Sequence, residues 1–109
     1  MQMTETETGS GTILALDGRL DSVTSAEVEA RMLAQLGRGP LVADLTAVRY
    51  VSSAGLRVLL KAAKEAKQGN VRFAVCGMQA AVKEVFEVSG FDRIIQVFAT
   101  RAEAAASLS

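Results

Sequence analysis

Two adjacent serines, Ser52 and Ser53, stand directly before a series of apolar residues at helical spacing. That series consists of Leu56, Leu59, Leu60 and Ala63, which we expect to pack in the core. The first turn of a helix carries unpaired backbone N–H groups and the positive end of the helix dipole, and both accommodate a phosphate. A serine here is therefore either a hydroxyl placed to accept a phosphoryl group or simply the N-cap of the helix, and local chemistry alone favours the cap.

A glycine in the first turn of the same helix needs its own explanation. In a helix interior, glycine lowers stability by up to about 1 kcal/mol relative to alanine. Gly55 either lets another surface approach the helix closely or packs against a neighbouring part of the same chain.

The composition excludes several classes of function. The 109 residues contain no histidine, which removes the histidine-dependent nucleophiles and metal sites, and no glycine-rich phosphate loop ends in Lys-Ser or Lys-Thr. Twelve basic and twelve acidic side chains balance, which argues against a nucleic-acid binder or a basic membrane-surface helix. Chemistry based on carboxylates alone or on lysine stays compatible with the composition, but no motif supports it. We therefore expect a protein that is not an enzyme, needs no cofactor or metal, and binds neither nucleic acid nor membranes.

Cysteine use and hydropathy predict a cytoplasmic protein. The one cysteine, Cys76, lies in an apolar run and is expected to be a small buried hydrophobe in a reducing compartment. No apolar stretch approaches the ~20 residues that a membrane span needs. The polar, acidic N-terminal residues lack the apolar core of a signal peptide.

Periodicity and turn residues predict the elements that position the two serines. Strands are predicted at 2–8, 12–17, 40–45, 71–76 and 94–98, with a connecting stretch at 46–51. Helices are predicted at 52–68, 78–88 and 100–108, the last with a Thr100–Glu103 capping box. Another helix, capped by Ser22 or Thr24, has apolar positions Val23, Ala26, Val28, Met32, Leu33 and Leu36 and ends at Gly37.

This order of elements predicts the fold class. Strands that alternate with helices form α/β layers with a largely parallel sheet. We expect one domain over residues 1–109, with a mostly parallel sheet of four or five strands and about four helices packed on it. Residues 41–44 should be buried and residues 71–76 should be a strand.

Three short motifs occur in order along the chain. They are Gly18-Arg19-Leu20-Asp21 followed by Ala26; Asp44-Leu45-Thr46, Tyr50-Val51 and Ser52-Ser53-Ala54-Gly55-Leu56; and Phe86-Glu87-Val88-Ser89-Gly90-Phe91. In this order and spacing they resemble the STAS family, the sulphate-transporter and anti-sigma-factor-antagonist domains. The similarity covers nearly the whole chain and implies a single STAS-like domain.

The resemblance also implies a function and a modification site. Stand-alone members antagonise an anti-sigma factor: the unphosphorylated protein binds that factor, and the sigma factor or other regulated target is released. The family's phosphate acceptor corresponds to Ser53. The implied partners are an anti-sigma factor that is also a serine kinase of the histidine-kinase-like ATPase type, and a metal-dependent serine phosphatase. Many members carry Asp where this chain has Ser52, which adds a second hydroxyl beside the acceptor.

The predicted partner-binding residues are Asp21, Ser52, Ser53, Gly55 and Arg57. The loops that leave the carboxyl ends of parallel strands cluster at one edge, so these residues should form one exposed surface. Asp21 is alternatively a turn residue or the N-cap of the first helix, and Arg57 alternatively belongs to a solvated face with Lys61, Lys64, Glu65 and Lys67. We expect Asp21→Ala and Arg57→Glu to weaken partner binding at an unchanged thermal midpoint.

Two other functions are compatible with the same sequence. Some lone STAS proteins serve as accessory subunits of ABC-type lipid transport complexes, in which the same helix start docks the ATPase. A small nucleotide-binding or hydrolytic protein is the other alternative, and the absence of a P-loop and of histidine disfavours it.

Overall fold

The computed structural model describes residues 1–108, which contain one five-stranded sheet. The strands are β1 (Gln2–Thr8), β2 (Gly11–Leu20), β3 (Leu41–Val51), β4 (Phe73–Cys76) and β5 (Gln96–Phe98). They lie side by side in the order β1-β2-β3-β4-β5. The hairpin partner β1 runs antiparallel to β2, and the other neighbouring pairs are parallel. The predicted α/β class with a mostly parallel sheet is confirmed.

Four helices connect or follow the parallel strands in the described part of the chain. They are α1 (Ser25–Leu36), α2 (Ser53–Gln68), α3 (Ala80–Ser89) and α4 (Arg101–Ser107), with a short 3-10 turn at Phe91–Arg93. The predicted capping box of α4 is confirmed, because the Thr100 hydroxyl accepts from the Glu103 N–H at 3.2 Å.

The sheet is covered on both faces. The larger core cluster joins α1, α2 and α3 to one face, where Leu14 and Leu16 of β2 point. A smaller cluster joins Ala104 and Leu108 to the opposite face, where Ile13 and Val42 point. Because β3 is covered on both sides, its first five residues are all buried, which explains the nearly continuous apolar run at 41–45.

Asp44 is the acidic residue in that run, and it ties α4 to the sheet. Its Oδ2 accepts from Nε of Arg101 at 2.9 Å, and its Oδ1 accepts from the Thr46 N–H at 3.0 Å and from the Thr46 hydroxyl. Burial raises the pKa of Asp44, but the hydrogen bonds from Thr46 and Arg101 outweigh it and hold the pKa below its ordinary 3.8. The carboxylate is therefore charged and fully engaged at neutral pH.

The predicted connection at 46–51 is wrong, because β3 continues to Val51. Its second half pairs with the second half of β2, with Asp17 opposite Ala47 and Leu20 opposite Val51. The prediction that β2 ends before Gly18 is wrong for the same reason. Gly18 has φ +128° and lies between two register shifts, so the glycine bends the strand without ending it.

The buried side of α2 overlaps the predicted stripe. Leu59 is fully buried, and Leu56 and Ala63 are partly buried and pack against the core. The buried residues of the helix are Gly55, Val58, Leu59, Ala62 and Ala66. In α1, Val28, Met32 and Leu36 are buried as predicted, but the helix begins at Ser25 and Ala26 is exposed.

Cys76 is a buried free thiol, as predicted. Burial is the main cause that raises the pKa of this thiol to about 12, and the Asp44 carboxylate adds to it. A thiol in this state is protonated at neutral pH and unreactive.

Candidate functional site

The ends of β2 and β3 lie side by side at the carboxyl edge of the sheet. Leu20 is opposite Val51, and the Ser52 N–H donates to the carbonyl oxygen of Leu20 at 2.9 Å. Asp21 and Ser52, the next residue of each strand, are therefore neighbours across this edge. The longer strands, which the sequence did not predict, are what bring them together.

Ser52 is the N-cap of α2. Its backbone is extended, with φ −88° and ψ 177°, and its Oγ accepts from the Gly55 N–H at 3.3 Å. Its carbonyl accepts the Leu56 N–H at 2.9 Å. The Ser52 hydroxyl is half-buried and already satisfies one of the unpaired donors of the first turn.

Ser53 is the first residue of α2 and is exposed. Within residues 1–108 its hydroxyl has no hydrogen-bond partner. The two roles that the sequence left open for this pair are thus divided: Ser52 caps the helix, and the hydroxyl of Ser53 stays accessible to solvent.

Gly55 lies beneath this surface. A Cβ at this position would meet the carbonyl oxygen of Leu20 at 2.5 Å and Cγ1 of Val51 at 3.0 Å. Of the two explanations for this glycine, packing against the chain's own strand end is the one observed. Gly55 lets α2 begin in contact with the ends of β2 and β3.

Arg57 is exposed one turn after Ser53, so the two side chains share one face of α2. A shallow groove separates this face from α1 and is lined by Ser25, Ala26, Glu29, Ala54, Arg57, Val58 and Lys61. Across it, Nζ of Lys61 lies 3.4 Å from Oε2 of Glu29. Ser53, Arg57 and the start of α1 therefore border one continuous surface.

Asp21 organises the turn between β2 and α1. Its Oδ1 accepts from the backbone N–H of Val23 at 3.0 Å and of Thr24 at 3.3 Å. The bond from Val23 is the main cause that lowers the pKa of Asp21, helped by Thr24 and by Arg19. Asp21 is thus a turn residue, whereas Thr24 stands at the N-cap of α1 without a cap bond from its side chain.

The sequence reasoning missed two features of this surface. The guanidinium of Arg19 lies 4.3 Å from the centre of the Tyr50 ring, and its Nε lies 3.6 Å from Asp21 Oδ2. Val23, predicted as a core position of a helix, precedes α1 and is 86% exposed. No local signal distinguishes this valine from a buried one, because its apolar type fits the helical spacing.

Asp21→Ala is expected to lower the thermal midpoint of unfolding, because the turn loses the acceptor of two backbone N–H groups. This replaces the expectation of an unchanged midpoint. Arg57→Glu should leave the midpoint unchanged, since Arg57 is exposed. Calorimetric melting of both variants, with the exposed Ser22→Ala as the control, makes the comparison. Equal midpoints for Asp21→Ala and Ser22→Ala would show that the turn does not need the carboxylate.

The described residues offer an exposed hydroxyl and few other chemical groups. No cluster of three or more potential metal-ligating side chains occurs in residues 1–108. No helix among these residues has both the length and the apolar character required to cross a membrane. The arrangement presents an exposed hydroxyl at a helix start, where a phosphoryl group would be accommodated.

Comparisons with known proteins agree with this fold. The sequence model of the STAS domain matches residues 2–104. The chain is 38% identical over 109 residues to BtrV of Bordetella bronchiseptica, named an anti-sigma factor antagonist, covering 98% of this chain and 94% of that one. An anti-sigma factor antagonist of Thermotoga maritima has a crystal structure that superposes with a TM-score of 0.91 at 19% identity, over 97% of this chain and 93% of that chain.

A further solved structure is the cell-fate determinant SpoIIAA of Bacillus in its phosphorylated form. It superposes with a TM-score of 0.76 at 17% identity, over 99% of this chain and all of that chain (100%). At this identity the likeness concerns the fold alone. With the family model spanning most of the chain and a relative at 38% identity, the chain belongs to the STAS domain family.

Proposed function

We propose that this protein is a phosphorylation-switched anti-sigma factor antagonist. In its unphosphorylated form it binds an anti-sigma factor, which then releases its sigma factor or other regulated target. Phosphate on Ser53 ends that binding. The observation that carries the proposal is the exposed Ser53 hydroxyl at the start of α2, beside a Ser52 hydroxyl that is already used as the cap.

The names of relatives support the first half of the proposal. BtrV carries the name anti-sigma factor antagonist, and so does a Listeria monocytogenes relative that is 32% identical over 82 residues. The existence of SpoIIAA in a phosphorylated form supports the second half by analogy of fold.

The position of Ser53 explains why the domain would tolerate its own modification. A phosphoserine adds about −1.5 to −2 charges and three acceptor oxygens at pH 7. At the first residue of a 16-residue helix, these charges meet free backbone N–H groups and the positive dipole end. Gly55 and Leu20 keep the helix start in place beneath them. The effect of the phosphate therefore falls on the partner and not on the fold.

The proposal includes two partners and a location. The binding partner is an anti-sigma factor that is also a serine kinase of the histidine-kinase-like ATPase type, and it uses ATP to phosphorylate Ser53. A metal-dependent serine phosphatase reverses the modification. We propose further that residues 1–109 act as a single STAS domain in the cytoplasm, that the protein is not itself an enzyme, and that the surface of Asp21, Ser52, Ser53 and Arg57 meets the kinase.

Incubation with the cognate kinase and ATP is expected to place one phosphate on Ser53, which peptide mass spectrometry locates. Ser53→Ala should take up none. Ser52→Ala should still be labelled, although loss of the cap lowers stability by about 1 kcal/mol. Label on Ser52 alone, or no label on the wild-type chain, would remove the proposal.

A further inference from the structure

Val23 has the largest exposed fraction among the large apolar side chains of residues 1–108, at 86%. A single exposed apolar residue is ordinary on a protein surface. Val23 differs from such a residue in two respects. Hydrogen bonds of Asp21 and Thr24 hold the turn that carries it, and its neighbours include charged residues and concave parts of the surface.

The turn that presents Val23 is held by hydrogen bonds of the Asp21 and Thr24 side chains. Oδ1 of Asp21 accepts from the N–H groups of Val23 and Thr24 at 3.0 and 3.3 Å. The Thr24 hydroxyl accepts from the Asp21 N–H at 3.1 Å and donates to the carbonyl of Arg19 at 2.8 Å. A side chain on a backbone fixed in this way loses little conformational freedom when a partner covers it, so its burial contributes to affinity with little ordering cost.

Val23 also stands beside the modifiable serine. Its turn leaves β2 at Leu20, whose carbonyl accepts the Ser52 N–H. On one side, Val23 lines a depression with Met1, Gln2, Asp17, Gly18, Arg19, Asp21, Thr24 and Arg49. On the other side, the chain continues through Thr24 to Ser25, which lines the groove between α1 and α2 together with Ala54 and Arg57. Val23 therefore lines one depression and stands two residues before Ser25, which lines the other; Ala54, the residue after Ser53, also lines that second groove.

The groups around Val23 are those of an interface rim. Arg19 and Arg49 carry positive charge and Asp17 carries negative charge, and Arg19 stacks on the half-exposed Tyr50. Protein interfaces combine an apolar centre with a polar, partly solvated border. Val23 has the position of such a centre.

We propose that Val23 is the apolar anchor of the surface that binds the unphosphorylated partner, and that it enters an apolar pocket on the anti-sigma factor. This inference rests on the proposed function and identifies which side chain supplies the apolar part of that contact. The charged residues around Val23 orient the partner, and phosphate on Ser53 repels it from a position next to the anchor.

Binding of the cognate ATPase anti-sigma factor, purified from the same organism, to the full chain tests the anchor by titration calorimetry. Val23→Thr keeps the shape but replaces a methyl group with a hydroxyl, and it should weaken binding about tenfold because that hydroxyl must lose its water in an apolar pocket. Val23→Ile keeps the apolar contact and should bind like the wild type. Val88→Thr is the matched control, since Val88 is 83% exposed on α3, and it should have no effect.

The dependence of binding affinity on salt concentration distinguishes the apolar contact of Val23 from the contacts made by charged residues. Added salt screens exposed charges, so the loss caused by Arg57→Glu should shrink as ionic strength rises. The loss caused by Val23→Thr should persist, because burial of apolar surface is not screened. The thermal midpoint of unfolding, measured for each variant, shows whether weaker binding is caused by a destabilised fold.

The outcomes are distinguishable. If the wild type binds and loses binding on phosphorylation, but Val23→Thr binds as tightly as Val88→Thr, the anchor is wrong and the proposed function stands. If the wild type does not bind the anti-sigma factor at all, the proposed function fails and the anchor fails with it.

Discussion

Phosphorylation of Ser53 is expected to weaken binding to the anti-sigma factor by several hundred-fold while the fold stays intact. Like charges brought together in an interface oppose binding by several kcal/mol, and each 1.4 kcal/mol corresponds to about tenfold in affinity. The phosphate also adds bulk to a surface that must lose its water on binding. Inside the domain the same charge meets the start of α2, where backbone N–H groups and the helix dipole favour it.

Titration calorimetry with the protein before and after phosphorylation measures the loss. Ser53→Ala should bind constitutively and stay unaffected by ATP. Ser53→Asp carries one negative charge and should bind weakly, with a free energy of unfolding within about 0.5 kcal/mol of the wild type.

Ser52→Asp is the matched control for the position of the charge. Aspartate is as good an N-cap as serine, and a side chain at this position turns back to the Gly55 N–H. Ser52→Asp should therefore weaken binding much less than Ser53→Asp, although the same charge stands one residue away. Equal affinities for Ser52→Asp and Ser53→Asp would show that the location of the charge is irrelevant and would contradict the switch.

Asp44→Ala is expected to lower the free energy of unfolding by about 2–3 kcal/mol at pH 7. The carboxylate accepts from Thr46 and Arg101 and is almost fully buried, whereas the Arg101 side chain is 45% exposed and can be solvated in the variant. The loss of stability is therefore smaller than the loss expected when one partner of a fully buried ion pair is removed. Urea unfolding of the wild type and the variant measures it, and Asp17→Asn, an exposed aspartate on β2, should change stability by less than about 0.5 kcal/mol.

The pH dependence identifies the charge as the cause. The pKa of Asp44 is lower in the folded protein than its ordinary 3.8, so the unfolded chain binds the proton more tightly. The stabilisation is fully present above pH 3.8 and is lost as the pH falls through the folded pKa. The difference in stability between the wild type and Asp44→Asn should therefore be largest near neutral pH and should shrink in acid. A difference that persists unchanged at pH 2 would mean that the charge is not its cause.

Local patterns in the sequence were sufficient to predict the order of the strands and helices. Alternating apolar runs, most glycine turns and the Thr100 capping box depend on residues close together in the chain, and these signals correspond to observed strands, turns or helix ends; Gly18, which lies inside β2, is an exception. The placement of a serine pair at the start of α2 also followed from local pattern.

Contacts between residues that are distant in the sequence decided where the strands end and how α2 packs. Residues 17–20 of β2 pair with residues 47–51 of β3, and this pairing extends both strands. No local signal in these polar stretches indicates the extension. The close approach of Gly55 to Leu20 is another such contact, and it places the start of α2 against the end of β2.

The candidate site, like the fold, was predicted in part from the sequence and decided in part by the tertiary structure. The sequence by itself determined that two serines stand at the start of one helix and an aspartate before another, and that no histidine chemistry accompanies them. Only the tertiary structure decided that Ser52 is the cap, that Ser53 is free, and that Val23 faces solvent beside them. The physical reason is that a side chain's exposure and hydrogen-bond partner depend on backbone angles set by strand pairing, and strand pairing joins residues about thirty positions apart.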